Sequence, residues 1–164
     1  MARRKKDRWD GAERRVPAMV LIAGDDAGAN ELLSRVLDSH GYRTVVASSV
    51  ETATARATEQ LPRAAVIDLS GGGIGASLQL LDWFRNHEDP KINRTRVIVV
   101  ARSSSNRTFS FQSGADDFLQ RPFHADDLVA AIDGALSVSH DDMPVRRRRL
   151  LDRADAATEA SAQP

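Results

Sequence analysis

The 164-residue chain contains no cysteine. Disulfides and thiolate metal sites are therefore excluded, and the compartment is left open. No run of about eighteen apolar residues occurs, so no membrane-spanning helix is predicted. The basic start is not followed by the apolar stretch and small-residue cleavage site of a secretory signal. A soluble, cytoplasmic protein without a membrane partner is the resulting expectation. Net charge is also absent, at 23 basic against 23 acidic residues, but the balance is uneven. Residues 1–15 hold seven Arg or Lys against three acids, and residues 18–140 hold eleven against fifteen. Residues 141–164 hold five against five, with Arg146 to Arg149 bunched together. The pattern describes a mildly acidic globule between two polar arms. His40, His87, His124 and His140 have no metal-site spacing and read as surface or helix-end residues.

What is present is a repeating alternation. Residues 1–17 are charged, lack apolar periodicity, and read as a disordered basic arm. Val20 to Ala23 is an unbroken apolar run closed by Gly24 and two acids, as for a strand buried on both faces. Leu32, Leu33, Val36 and Leu37 then fall at helical spacing before Gly41. Residues 42–47 predict a second strand, and Ser48 with Glu51 suggests a capping box opening a helix that ends near Pro62. Residues 64–68 predict a third strand, followed by a glycine loop and a helix with Leu78, Leu81, Trp83 and Phe84, the two aromatics reading as core. A fourth strand at 96–101 precedes a serine-rich loop and a short helix around Phe109 and Phe111. A fifth strand at 117–120 leads through ArgProPhe to a last helix from about Asp126, with Leu128, Val129, Ile132 and Leu136 on one side. Residues 18–138 thus form one domain, and 139–164 a charged tail, disordered or part helical, with Arg146 to Ala157 able to extend as an isolated helix. Five short strands alternating with five helices predict an α/β protein with a parallel sheet covered on both faces.

In such a sheet the ligand site lies at the carboxyl ends of the strands. Asp25 and Asp26 follow the first strand, Asp68 ends the third, Ala101 and the serines 103–105 close the fourth, and Arg121 and Pro122 follow the fifth. Carboxylates gathered on one rim repel one another and call for a hard cation, for which Mg²⁺ suits an oxygen-ligand site. A central aspartate beside Mg²⁺ and a fixed cation can attack a phosphoryl group, giving an acyl phosphate.

The order of these elements, with GlyAlaAspAsp at 114–117 and ArgProPhe at 121–123, resembles the receiver domain of bacterial response regulators over roughly residues 18–138. The resemblance implies a flavodoxin-like (βα)5 three-layer sandwich with sheet order 2-1-3-4-5. It implies Asp68 as phosphoacceptor for a histidine kinase or histidine phosphotransfer protein, with Mg²⁺ assisting. Position by position, the acidic pair falls on Gly24 and Asp25, so one acid is missing. Asp25 and Asp68 match direct metal ligands, with Asp26 the neighbouring acid that could help. The site lysine becomes Arg121, a planar fork in place of a compact ammonium. The phosphoryl-contacting hydroxyl falls on Ala101, with Ser103 or Ser104 as substitutes from the loop. Its loss removes a charge-assisted hydrogen bond of roughly 1.5–3 kcal/mol. Phe118 takes the switch aromatic position, and Pro122 that of a cis proline. The usual MetPro turn after the acceptor is replaced by glycines. Two readings follow, neither an enzyme. One is a stand-alone receiver in a two-component phosphorelay with a weakened Mg²⁺ site. The other is a phosphorylation-independent pseudo-receiver that docks a protein through its fourth helix and fifth strand.

Blander readings stand beside these. Asp25 and Asp26 can serve the start of the first helix as cap and dipole partner. Asp116 and Asp117 read as solvated turn residues, and Arg121 as a surface cation or a site residue. Gly71, Gly73 and Ala76 fit a dinucleotide fingerprint, but that motif belongs after a first strand, and Asp68 would repel a pyrophosphate. The loop otherwise reads as a flexible connection. The Arg-rich arms suggest nucleic acid. The acidic globule and the absence of a recognition helix argue instead for solubilising or partner-docking tails.

Overall fold

The computed structural model describes residues 17–71 and 74–162. The basic arm at 1–17, apart from Pro17, and Gly73 of the fingerprint lie outside the described residues. Five parallel strands, β1 (Met19–Ala23), β2 (Arg43–Ala47), β3 (Ala64–Asp68), β4 (Arg96–Ala101) and β5 (Asp117–Gln120), form one sheet in the order β2-β1-β3-β4-β5. This is the flavodoxin-like order expected from the sequence. β3 and β4 are buried along their whole length, which is why they read as unbroken apolar runs. Alternate residues feed two cores. Leu21, Ala65, Ile67, Val97 and Val99 face one layer, and Val20, Ile22, Val66, Ile98 and Val100 face the other.

The second layer is covered by α1 (Ala27–Ser39) and α5 (Ala125–Ser137). α1 buries Asn30, Leu33 and Leu37. Leu32, placed on the apolar face by its spacing, points outward at 58 % exposure. In α5, Leu128 and Ile132 are fully buried, each contributing roughly 1.5–3 kcal/mol. The Asp127 carboxylate accepts the His124 N–H at 3.0 Å and so closes the start of that helix. Arg96 of β4 donates to the carbonyls of Ala135 and Val138, tying the end of α5 to the sheet.

The first layer is covered by α2 (Val50–Gln60), α3 (Ile74–Asn86) and α4 (Arg107–Gln112), with a single helical turn at Pro90–Asn93 between α3 and β4. α2 is capped by Ser49, whose hydroxyl accepts from Thr52 N at 3.1 Å. The cap therefore lies one residue later than the expected Ser48. α2 buries only Ala53 and Ala57, small side chains that let the helix lie close to the sheet.

Two expectations at the other end of the chain are replaced. Asp116 is not a solvated turn residue; it is fully buried. Its carboxylate accepts from Arg85 Nη2 of α3 at 2.6 Å, from Val97 N of β4 at 2.8 Å and from Arg147 Nε at 2.6 Å. Burial pulls the Arg85 guanidinium down to about 10 against the opposing pull of Asp116, so it stays a cation at neutral pH. Asp117 opens β5 and pairs with Arg146 at 2.9 Å. The charged tail is the source of both arginines. Residues Met143–Ala162 form α6, which is docked on the domain and not isolated. Among the described residues no helix is long and apolar enough to cross a membrane.

Candidate functional site

The site is assembled where β1, β3, β4 and β5 end. β3 delivers Asp68 at 5 % exposure, and the chain turns away at once because Ser70 N donates back to Asp68 Oδ1 at 2.8 Å. This is the local turn that an aspartate favours, its side chain accepting from the backbone N–H two residues on. Two strand positions away, Arg121 N is held by the Ala101 carbonyl at 2.8 Å at the end of β5. From there the guanidinium reaches across the end of β4 and places Nη2 2.8 Å from Asp68 Oδ2 and Nε 3.1 Å from Ser70 Oγ. Phe123 lies against it, with the guanidinium carbon 5.4 Å from the ring centroid. The residue under this span is Ala101, buried and without a hydroxyl. The Arg121–Pro122 peptide bond is cis.

On the other side of Asp68, Asp25 and Asp68 share a cleft of about 100 Å³ with Gly24, Ser48, Ser49 and Ser77. The Asp25 carboxylate lies against Gly71, and a Cβ on that residue would run into it. Gly71 is thus the space that lets Asp25 face the rim. Gly24 is equally crowded, since a Cβ there would sit 2.8 Å from Asn30 Oδ1 and 3.1 Å from Asp68 Cβ. Asn30 donates from Nδ2 to the Gly24 carbonyl at 2.7 Å, and its Oδ1 is buried without a hydrogen-bond partner. The donor set of this cleft is two carboxylates and no third acid. Among the described residues no group of three or more acids or histidines could hold a metal. Mg²⁺ commonly uses one or two carboxylates and completes its shell with water and phosphate oxygens, so Asp25 and Asp68 fit it as a two-carboxylate site.

The remaining sequence candidates lie elsewhere. Asp26 is the N-cap of α1, accepting from Ala29 N at 3.0 Å. Ser103 caps the 3-10 turn Ser104–Asn106, its hydroxyl engaged by Ser105 N and Oγ. Phe118 is buried in the first core, with the Arg107 guanidinium carbon 5.2 Å from its ring centroid. Two participants went unremarked in the sequence, Ser70 and Asn30. The AspLeuSer spacing was the signal for the first. For the second it was an amide in register with Leu33 and Leu37 on the buried side of α1.

A parallel sheet that carries a buried aspartate, an arginine before a proline and an aspartate-bearing first turn on one rim defines a receiver-type signalling module. A family model of the response regulator receiver domain matches residues 20–133, and the chain belongs to that family. It is 33 % identical over 115 residues to the acid tolerance regulatory protein ActR of Sinorhizobium medicae (strain WSM419), covering 69 % of this chain and 57 % of that protein. The chain therefore spans little more than half the length of that relative. A putative response regulator from Chloroflexus aurantiacus J-10-fl superposes with a TM-score of 0.68 at 29 % identity, over 75 % of this chain and all of that one. A CheY-like receiver domain protein from Methanospirillum hungatei JF-1 gives a TM-score of 0.65 at 22 % identity, over 74 % of this chain and 95 % of that one, a likeness of fold.

Proposed function

We propose that the chain is a receiver that accepts a phosphoryl group on Asp68 from the phosphohistidine of a histidine kinase or histidine phosphotransfer protein in the cytoplasm. The observation that carries this is the Arg121 guanidinium 2.8 Å from a carboxylate that is itself 5 % exposed. A buried acid at a sheet rim beside a fixed cation is poised for a reaction that delivers negative charge to that point. One Asp68 oxygen attacks phosphorus, the P–O bond forms, and the P–N bond to the donor histidine breaks. The imidazole leaves with the electron pair and takes up a proton. Asp25 and Asp68 would hold Mg²⁺, which when bound neutralises phosphoryl oxygens and orients them for in-line transfer. Arg121 would swing one of its donors from Asp68 Oδ2 to a phosphoryl oxygen, and Ser70 Oγ holds its Nε in place meanwhile.

A second reading rests on two features of the same site. Both Asp68 oxygens are already hydrogen-bonded, one to Ser70 N and one to Arg121, and Ala101 offers no hydroxyl to the phosphoryl group. These favour a phosphorylation-independent module that keeps Asp68 as a structural ion pair and acts by docking a protein. Beryllofluoride and MgCl₂ titrated into the ¹⁵N-labelled chain decide between them. Saturable shifts at Ser70, Ala101 and Arg121 amides, lost in Asp68→Asn, are the result expected for phosphoacceptance. A spectrum unmoved by beryllofluoride overturns it in favour of the docking module.

A further inference from the structure

A recess of about 610 Å³ opens at the amino ends of β3 and β4, the opposite end of the sheet from Asp68. Three segments wall it: residues 61–63 between α2 and β3, residues 91–96 leading into β4, and residues 136–139 at the end of α5. Hydrogen bonds fix these walls to one another. Arg96 N donates to the Arg63 carbonyl at 3.0 Å, and Thr95 Oγ1 to the Pro62 carbonyl at 3.3 Å. The Arg96 guanidinium, buried at 8 % exposure, holds the third wall through the Ala135 and Val138 carbonyls.

The charge on these walls is of one sign. Arg63, Lys91, Arg94 and Arg96 line the recess, and no Asp or Glu does. Arg35, Arg85, Arg121, Arg146 and Arg147 each meet an acid elsewhere, but among the described residues none of these four does. Burial pulls the Arg96 guanidinium below its ordinary value, Asp116 opposes this, and Arg147, Arg146 and Arg63 add to the fall. Asp116 is already held by Arg85 and Arg147, so it does not neutralise the recess. A recess lined by one sign of charge concentrates its potential and draws in the opposite ion. The hydroxyls of Ser137 and Ser139 already donate to the Gly134 carbonyl and to Asp142, which does not line the recess. The free donors are therefore the exposed side chains of Arg63, Lys91 and Arg94, which make no side-chain hydrogen bond among the described residues. Beside them, Leu61, Leu136 and Val138 supply an apolar wall.

We infer that this recess binds a small ligand carrying a diphosphate or longer phosphate chain, held by Arg63, Lys91 and Arg94. Three cations that only donate match a ligand whose oxygens only accept, and the planar arginine fork suits phosphate oxygens. A single phosphate leaves part of the positive charge unmatched. An acidic peptide spaces its carboxylates along a chain and calls for a longer groove. The recess has the size of a small-molecule site. It lies at the other end of the strands from Asp68, so the inference is independent of phosphoacceptance.

ATP, inorganic pyrophosphate, inorganic phosphate and a short DNA duplex, each titrated into the ¹⁵N-labelled full chain in metal-free buffer, test it. ATP and pyrophosphate are expected to give saturable shifts at the Arg63, Arg94, Thr95 and Arg96 amides, and none at Ser70 or Ala101. Asp68→Asn should bind them as wild type does. Arg63→Ser/Arg94→Ser should weaken pyrophosphate binding about tenfold or more, because charge-assisted hydrogen bonds are lost. Lys91→Ser should act in the same direction, and it decides alone should the double variant lose its native circular dichroism. Tighter binding of ATP than of pyrophosphate assigns the apolar wall to the nucleoside, and equal binding assigns the diphosphate alone; both uphold the site. The inference is overturned if neither ligand binds, if the shifts gather at the Asp68 rim, or if the folded variants bind as wild type does. A duplex that binds more tightly than ATP also overturns it, in favour of a nucleic-acid face.

Discussion

A side chain at position 24 would have to pass between Asn30 and Asp68, and that is why restoring the missing acid is not a single step. The Gly24 Cβ would meet Asn30 Oδ1 at 2.8 Å, and the new carboxylate would join Asp25 and Asp68 on one rim. Like charges about 4 Å apart cost on the order of 1–4 kcal/mol between water and a protein surface. Gly24→Asp/Asn30→Ala removes the collision with Asn30, leaves the 3.1 Å approach to Asp68 Cβ, and keeps the charge. We expect this double variant to be less stable than wild type without metal and to bind Mg²⁺ at least tenfold more tightly. Its melting temperature should then rise with MgCl₂ by more than wild type's. Calorimetric titration with MgCl₂ checks the affinity, and an unchanged value would show that the rim does not hold the ion. Gly71→Ala acts in the opposite direction. It alters no metal donor, yet its methyl displaces the Asp25 carboxylate, so Mg²⁺ binding should weaken.

The two serines before α2 look interchangeable in sequence, but only one is a cap. Ser49 Oγ accepts from Thr52 N, whereas Ser48 borders the Asp25–Asp68 cleft. Ser49→Ala should therefore cost about 1 kcal/mol of stability in urea unfolding, and Ser48→Ala should leave the midpoint in place. Equal effects would mean that the cap is shared. The five strands could be read from the chain because burial on both faces writes itself as short apolar runs. The rim positions of Asp25 and Asp68 could be read because strand ends are where a parallel sheet opens. Boundaries and partners were harder to see. A one-residue shift of the cap leaves the local pattern almost unchanged, and Leu32 obeys helical spacing while facing solvent. The docking of α6 was hidden for a different reason. Its arginines meet Asp116 and Asp117 across separations of 29 to 31 residues, and a helix anchored by long-range ion pairs carries little local apolar signal. The same distance hid the burial of Asp116, which in its own neighbourhood follows a glycine turn.

One carboxylate joins four parts of the molecule. Asp116 sits ahead of β5, holds Arg85 of α3, accepts the backbone N–H of Val97 in β4, and receives Arg147 of α6. Every partner is a donor, and two are cations with side chains at 14 % and 25 % exposure. Removing the acceptor leaves the Arg85 guanidinium without its carboxylate, held only by the Gly114, Asn93 and Thr95 carbonyls, and Val97 N without its side-chain partner. Breaking a buried pair from one side costs about 3–5 kcal/mol. The Asp117–Arg146 pair is a contrast, for both side chains are partly exposed and such pairs contribute about 0–1 kcal/mol. Asp116→Ala should thus lower the unfolding free energy by about 3–5 kcal/mol, a fall in melting temperature on the order of 10 °C for a chain of this size. Asp117→Ala should lower it by at most about 1 kcal/mol. Asp116→Asn keeps an acceptor for Val97 while losing the charge, and should fall between them. Far-UV circular dichroism in urea, followed for all three, gives the ordering. If Asp116→Ala unfolds within about 0.5 kcal/mol of wild type, the carboxylate is a bystander, and the sheet, α3 and α6 are held together without it.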